Sequence, residues 1–187
     1  DSIEAMAKKA DALGLEYIAL TDHSPSLKIA NGMKAVKLPQ KLSEMKRGQA
    51  RCNAHLFFGT EVDILPDGSI DYPDKILSQF DLVVASVHSA FTKDNTKRIL
   101  KAMENPYVSI IGHISGRMLG QREGYPLDSE AVFRKAVETK TWIEINAQPH
   151  RQDISWDHIR SAKEKGVQFV ISTDSHRKDT LWFLDLG

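Results

Sequence analysis

Residues 10–24, "ADALGLEYIALTDHS", and residues 161–177, "SAKEKGVQFVISTDSHR", are two versions of one unit: a helix end, a glycine, a short apolar run, then Thr-Asp and a histidine. Gly14 and Gly166 stand where a left-handed residue closes a helix at least cost. The runs that follow, "EYIAL" (16–20) and "VQFVI" (167–171), have the length and β-branched character of buried strands. Four more such runs lie between them: "AHLFF" (54–58), "DLVVA" (81–85), "YVSII" (107–111) and "TWIEI" (141–145). Helical spacing fills most of the intervals. Ile3, Met6, Ala7, Ala10 and Leu13 form one stripe; Ala131, Val132, Ala136 and Val137 form another after an Asp128 N-cap; Trp156, Ile159 and Ala162 form a third after Ser155. Shorter helices are expected near 74–79 and 95–104. Strands alternating with helices imply a parallel sheet joined by right-handed crossovers, with working residues at the carboxyl ends of the strands.

That rule tests itself on the text. The six runs are followed by Thr21-Asp22-His23, Gly59-Thr60-Glu61, Ser86-Val87-His88, Gly112-His113, Asn146 and Thr173-Asp174-Ser175-His176. Five of the six ends carry an imidazole or a carboxylate, so the repeated phrase is a strand delivering a side chain to a common rim.

Composition sets the bounds. A chain of 187 residues with 41% hydrophobic and 27% charged residues suits one domain with a sizeable core. No stretch reaches the roughly 18–20 apolar residues of a membrane span, and the first residues lack the apolar centre of a signal peptide, so a cytoplasmic protein without a membrane partner is expected. The single cysteine, Cys52, excludes an internal disulfide and sits in no nucleophile motif. Twenty-five basic residues balance 25 acidic ones, so no global field draws the chain to nucleic acid.

Gathered on one rim, His23, Glu61, His88, His113, Asp174 and His176 form a nitrogen and oxygen donor set suited to zinc, manganese or iron. Six donors exceed one tetrahedral site, and two or three ions sharing a bridging carboxylate suit phosphoester hydrolysis. Any one of these histidines alone is ordinarily a hydrogen-bonded structural residue; their joint placement at separate strand ends is what argues for ligation. His55, His150 and His158 read as structural or exposed, and Asn146 reads equally as turn-stabilising or site-facing. Arg117, Arg122, Arg151 and Arg177 fall in rim-side loops, where a guanidinium can grip phosphate, although for each one alone a solvated surface arginine is the favoured reading. Lys93, Lys97, Arg98 and Lys101 read as a solvated helix face, with DNA contact the less favoured reading.

"ALTDHS", "GTEVDILPDGSIDYPD", "LVVASVHSAF", "NPYVSIIGHISGRMLG", "WIEINAQPHRQDI" and "ISTDSHR" resemble, in order and over nearly the whole chain, the PHP (polymerase and histidinol phosphatase) domain, most of all the version at the C-terminal end of bacterial and archaeal family X DNA polymerases. The resemblance implies an α/β fold, a distorted barrel of seven βα units, over residues 1–187. It implies two or three divalent ions, manganese, zinc or iron. Glu61 would bridge two of them; His88 and His113 would complete the second, Asp174 would hold the first, and His23 and His176 the third. Glu61, His88 and Asp174 would carry catalysis; of the rim-side arginines, Arg117, Arg151 and Arg177 are the ones expected, from their loop positions, to meet the phosphate. The implied activity is a 3′–5′ exonuclease or other processing of DNA 3′ ends, in which water activated by the ions attacks phosphorus; relatives dephosphorylate small phosphoesters such as histidinol phosphate. The family begins with a strand carrying His-x-His, absent before Asp1. The chain is therefore expected to be a truncated domain, covalently linked upstream to a polymerase domain. A small-molecule phosphatase and a catalytically silent module that stabilises a polymerase are the rival expectations.

Overall fold

The computed structural model describes residues 1–27 and 32–187. Each expected apolar run becomes a strand: β1 (Tyr17–His23), β2 (His55–Asp63), β3 (Leu82–Ser86), β4 (Ile110–Ile111), β5 (Trp142–Asn146) and β6 (Phe169–Ser172). All neighbours are parallel, in the order β1-β2-β3-β4-β5-β6. The class is α/β, and the sheet curls into half a barrel. It has six strands among the described residues rather than a ring of seven units, with β1 and β6 at its two free edges.

Helices α1 (Ile3–Ala12), α2 (Leu38–Gln49), α3 (Asp74–Leu77), α4 (Thr96–Ala102), α5 (Ser129–Thr139) and α6 (Trp156–Glu164) pack on the outer face, with a 3-10 segment at Lys178–Leu186. The two glycine turns are the same motif in hydrogen bonds as well as in sequence. Gly14 N donates to Asp11 O and Leu15 N to Ala10 O; Gly166 N donates to Lys163 O and Val167 N to Ala162 O. Both glycines have positive φ, +70° and +87°. This is the Schellman closure, which satisfies carbonyls that a helix end leaves bare. Asp128 caps α5, accepting from Ala131 N at 3.0 Å. Ser155 has the extended backbone of a cap, yet its Oγ bonds His158 Nδ1 at 2.8 Å and caps nothing.

Alternation along each strand divides the molecule into an outer core and an inner trough. Val62, Val83, Ile111 and Ile143 point outward and pack with Leu77, Ile99 and Phe133 of the helices. Leu56 and Phe58 pack with Ile3, Leu38 and Met45 in a second cluster under α1 and α2. The inner face opens on a cavity of about 1860 Å³, with Tyr17, Trp142 and Ile171 along its wall and His23, Glu61 and Asp174 at its carboxyl-terminal mouth. No helix of the described residues is long and apolar enough to cross a membrane.

Candidate metal centre

Register brings the first two residues together: β1 and β2 pair so that His23 lies beside Glu61. Asp63, two residues further along β2, shares the inward face and lies beside Ser86 of β3. The chain then carries His88 past the end of β3 and His113 past the end of β4, and the three rings and two carboxylates converge. Glu61 sits at their centre. Its Oε2 is 3.5 Å from His23 Nδ1, and its Oε1 is 3.4 Å from His88 Nε2 and 3.2 Å from His113 Nε2. Ring centroids of His88 lie 5.4 Å from His23 and 5.2 Å from His113. His23, Glu61 and His88 each offer a donor atom within 4.8 Å of the others, the spacing of residues that share one ion.

Protonation follows from burial and neighbours. Burial opposes the charge of Glu61, but hydrogen bonds from His113 and His88 outweigh it and hold the carboxyl well below the ordinary range. Burial also opposes charge on His88 and His113; there the carboxylates win. Asp63 and Glu61 push His88 up to about 9, and Glu61 raises His113. His23 goes the other way, because burial exceeds the attraction of Glu61, so its imidazole keeps a free lone pair at neutral pH. The Nδ1 atoms of His23 and His113 are buried without hydrogen-bond partners. A carboxylate among three imidazoles, with buried nitrogens unsatisfied, fits a divalent cation of the zinc, manganese or iron type.

Two acids that the strand runs alone did not single out support this group. Asp63 Oδ1 lies 2.6 Å from His88 Nδ1, turning Nε2 toward Glu61, while Ser26 Oγ donates to Asp63 Oδ2 at 2.8 Å. The period-two rule would have found it, since it stands two residues after Glu61 on one strand. Glu144 of β5 is buried, and burial raises its pKa. It accepts from the backbone N–H of His113, from Ser172 Oγ and, at 3.2 Å, from Asn146 Nδ2. Gly112 makes room beside it: a β-carbon there would stand 2.4 Å from Ser86 Oγ. Asn146 is fully buried, and its Oδ1 accepts from Gln148 N at 3.1 Å, the turn-stabilising role.

The β6 side is more open. Asp174 pairs with Arg151, Nε to Oδ2 at 3.1 Å. His176 has 70% of its side chain exposed, with its ring 5.9 Å from that of His23. Arg117 directs Nε and Nη2 to the carbonyls of Arg151 and Gln152, and Arg122 donates to Gly116 O while stacking 3.7 Å over the Phe91 ring. Both therefore tie rim loops together. Arg177 is largely exposed, with Asp179 at 3.8 Å. In the basic run, Lys97 and Lys101 are exposed on α4 and Lys93 is exposed in the loop before it rather than on the helix, whereas Arg98 of α4 is buried.

A parallel α/β half-barrel with imidazoles gathered round a carboxylate at the carboxyl ends of its strands is a scaffold on which a divalent cation could be held. The chain belongs to the PHP domain family, whose model matches residues 1–148. It is 41% identical over 184 residues to the DNA polymerase/3′-5′ exonuclease PolX of Bacillus subtilis; the match takes in 96% of this chain and 32% of that protein. It is 30% identical to a "Probable phosphatase" of Clostridium acetobutylicum, over 95% of this chain and 73% of the relative. A "Probable phosphatase" of Thermoanaerobacter sp. is 31% identical, over 94% and 72%. The chain thus spans about a third of the polymerase relative and nearly three quarters of the phosphatases.

Proposed function

We propose that this chain is a metal-dependent phosphoesterase acting on the 3′ ends of DNA, as one PHP unit over residues 1–187. The observation that carries the reading is Glu61, buried and 3.2–3.5 Å from three imidazole nitrogens at one mouth of the trough. Two or three divalent ions, manganese, zinc or iron, would be held by His23, Glu61, His88, His113, Asp174 and His176. Such ions supply Lewis acidity, drawing down the pKa of water and neutralising phosphoryl charge. Glu61 supplies the buried negative charge that offsets theirs. His88 keeps its Nδ1–H on Asp63 and presents Nε2, and His23 presents a neutral nitrogen. Arg151 and Arg177 orient the phosphate, and Arg117 holds the loop that carries Arg151. A seventh strand between the free edges of β1 and β6 would close the barrel, and a polymerase domain linked to this one would supply the DNA.

The test is release of nucleotide from 3′-labelled single-stranded DNA with Mn²⁺, in the wild type and in His88→Ala. Metal-dependent release that H88A loses supports the proposal. Release that H88A leaves intact, or none from a wild type shown to bind Mn²⁺, overturns it. A second reading, hydrolysis of a small phosphomonoester, is favoured by the phosphatase relatives, which this chain matches over most of their length. Turnover of small phosphates with no action on DNA selects it.

A further inference from the structure

Arg98 has 6% of its surface exposed and makes no ion pair among the described residues. A buried guanidinium without a counter-charge is costly unless its donors are met. Four of its five N–H groups are met, all by neutral acceptors. Nη1 donates to Ser89 O and Asn95 Oδ1, both at 3.1 Å; Nη2 donates to Ile64 O and to Ser89 Oγ at 3.3 Å. Nε is buried and has no partner. The acceptors lie at two informative places: Ile64 directly follows Asp63 at the end of β2, and Ser89 directly follows His88 in the loop after β3. Ile64 N also donates to Ser86 O at 2.8 Å, so the fork completes a brace across the two segments that carry Glu61, Asp63 and His88.

We propose that Arg98 is a positioning residue for the metal centre, fixing the separation of the β2 terminus from the His88 loop. The inference rests on reading the site as a metal centre. Arginine suits this work because its planar fork reaches acceptors in two segments at once. A lysine gathers three donors on one nitrogen and cannot span them. The negative charge of Asp63 also offsets part of the cost of burying the cation.

The experiment titrates the metal-free chain with Mn²⁺, counting free ion by electron paramagnetic resonance, in the wild type, Arg98→Met and Arg98→Lys. Met45→Ala serves as a control, destabilising the separate cluster under α1 and α2. Each variant is used at a temperature where circular dichroism shows it folded. The expected result is at least a tenfold weaker affinity in R98M, a loss in the same direction in R98K, and wild-type affinity in M45A. R98K retains charge and bulk, and carries the test alone should R98M not fold. Wild-type affinity in a folded R98K or R98M overturns the positioning role while leaving the metal centre standing. A wild type that binds no Mn²⁺ overturns both.

Discussion

Replacing Asp63 by asparagine tests how the centre is built, because it removes a charge while keeping the shape beside His88. In the metal-free protein His88 carries a proton on each nitrogen: Nδ1–H faces Asp63 at 2.6 Å and Nε2–H faces Glu61. With its pKa raised to about 9, roughly 97% of His88 is protonated at pH 7.5. An ion binding through Nε2 must displace that proton, so wild-type binding releases nearly one proton from His88, and more from His113. Without Asp63 the pKa falls toward its ordinary 6.5, and the release drops by about half a proton or more. Turning the charge-assisted orienting bond into a weaker neutral one lowers intrinsic affinity, by up to about 10–100-fold. Part of that loss is masked at pH 7.5, where weaker proton competition favours the variant. The full loss emerges as pH rises and the wild type sheds its own proton. Calorimetric titration with Mn²⁺ in buffers of differing ionisation enthalpy, from pH 6.5 to 8.5, gives both quantities. Equal proton release and parallel affinity curves for D63N and wild type would refute the argument.

The remaining expectations concern stability and charge. Raising a tenfold excess of Mn²⁺ over Kd to a hundredfold excess brings its stabilisation to about 2.7 kcal/mol; Glu61→Gln, lacking the central charge, should show no Mn²⁺-dependent rise in Tm in a thermal melt. In metal-free protein the raised pKa of His88 contributes stability fully present below pH 6.5 and lost as pH climbs through about 9, a loss of roughly 3 kcal/mol. The depressed Glu61 acts oppositely, losing its contribution as pH falls below 4.5; urea unfolding in EDTA at pH 6 and pH 9.5 should therefore find the alkaline sample weaker, and equal midpoints would contradict the charge assignments. Lys140 closes α5 at φ +60°, so Lys140→Gly should stabilise by about 0.5–1 kcal/mol, seen as a higher Tm with Mn²⁺ affinity unchanged.

Lys140 also shows where sequence reading ran out. Its N–H and that of Thr141 bond Val137 O and Ala136 O, the pattern found at Gly14 and Gly166, but without the glycine that announces it. Helix α2 is not legible in the sequence because its buried side is thin: only Leu38, Met45 and Gly48 are buried, and apart from Pro39 and the partly buried Leu42 the remainder is polar or charged. β4 was read as five residues and pairs over two, because the Asn105-Pro106 turn still bends the chain at Val108, whose N–H bonds Asn105 O. The rim was legible because a parallel sheet puts every strand's carboxyl end at one mouth, so a histidine shortly after an apolar run has its place in space fixed by topology. What supports the rim was less legible. Arg98 shares its helix with two exposed lysines, Lys97 and Lys101, and only the turn of α4 decides which cation faces inward; Glu144 is hidden inside a run that reads simply as apolar strand.

The supporting residues account for the distribution of strain. Among the described residues, the non-glycine residues with positive φ are Ala90, His113, Lys140, Gln152 and Asp174. Lys140 is the helix closure at the far end; the other four follow β3, β4, β5 and β6 on the rim side. Each such conformation costs about 1–3 kcal/mol unless its surroundings impose it. At His113 the imposing group is Glu144, which takes the backbone N–H, and at Asp174 it is Arg151, which takes the carboxylate. Among the described residues, the buried side-chain polar atoms without partners are His23 Nδ1, Ser86 Oγ, Arg98 Nε, His113 Nδ1 and Ser175 Oγ, and every one belongs to the rim or its brace. At the opposite end, helix closures are satisfied and the core is apolar. The fold thus concentrates unmet polar capacity and backbone strain at one mouth, where a cation and a phosphate would relieve them, and leaves the other end to supply the stability that makes this tolerable.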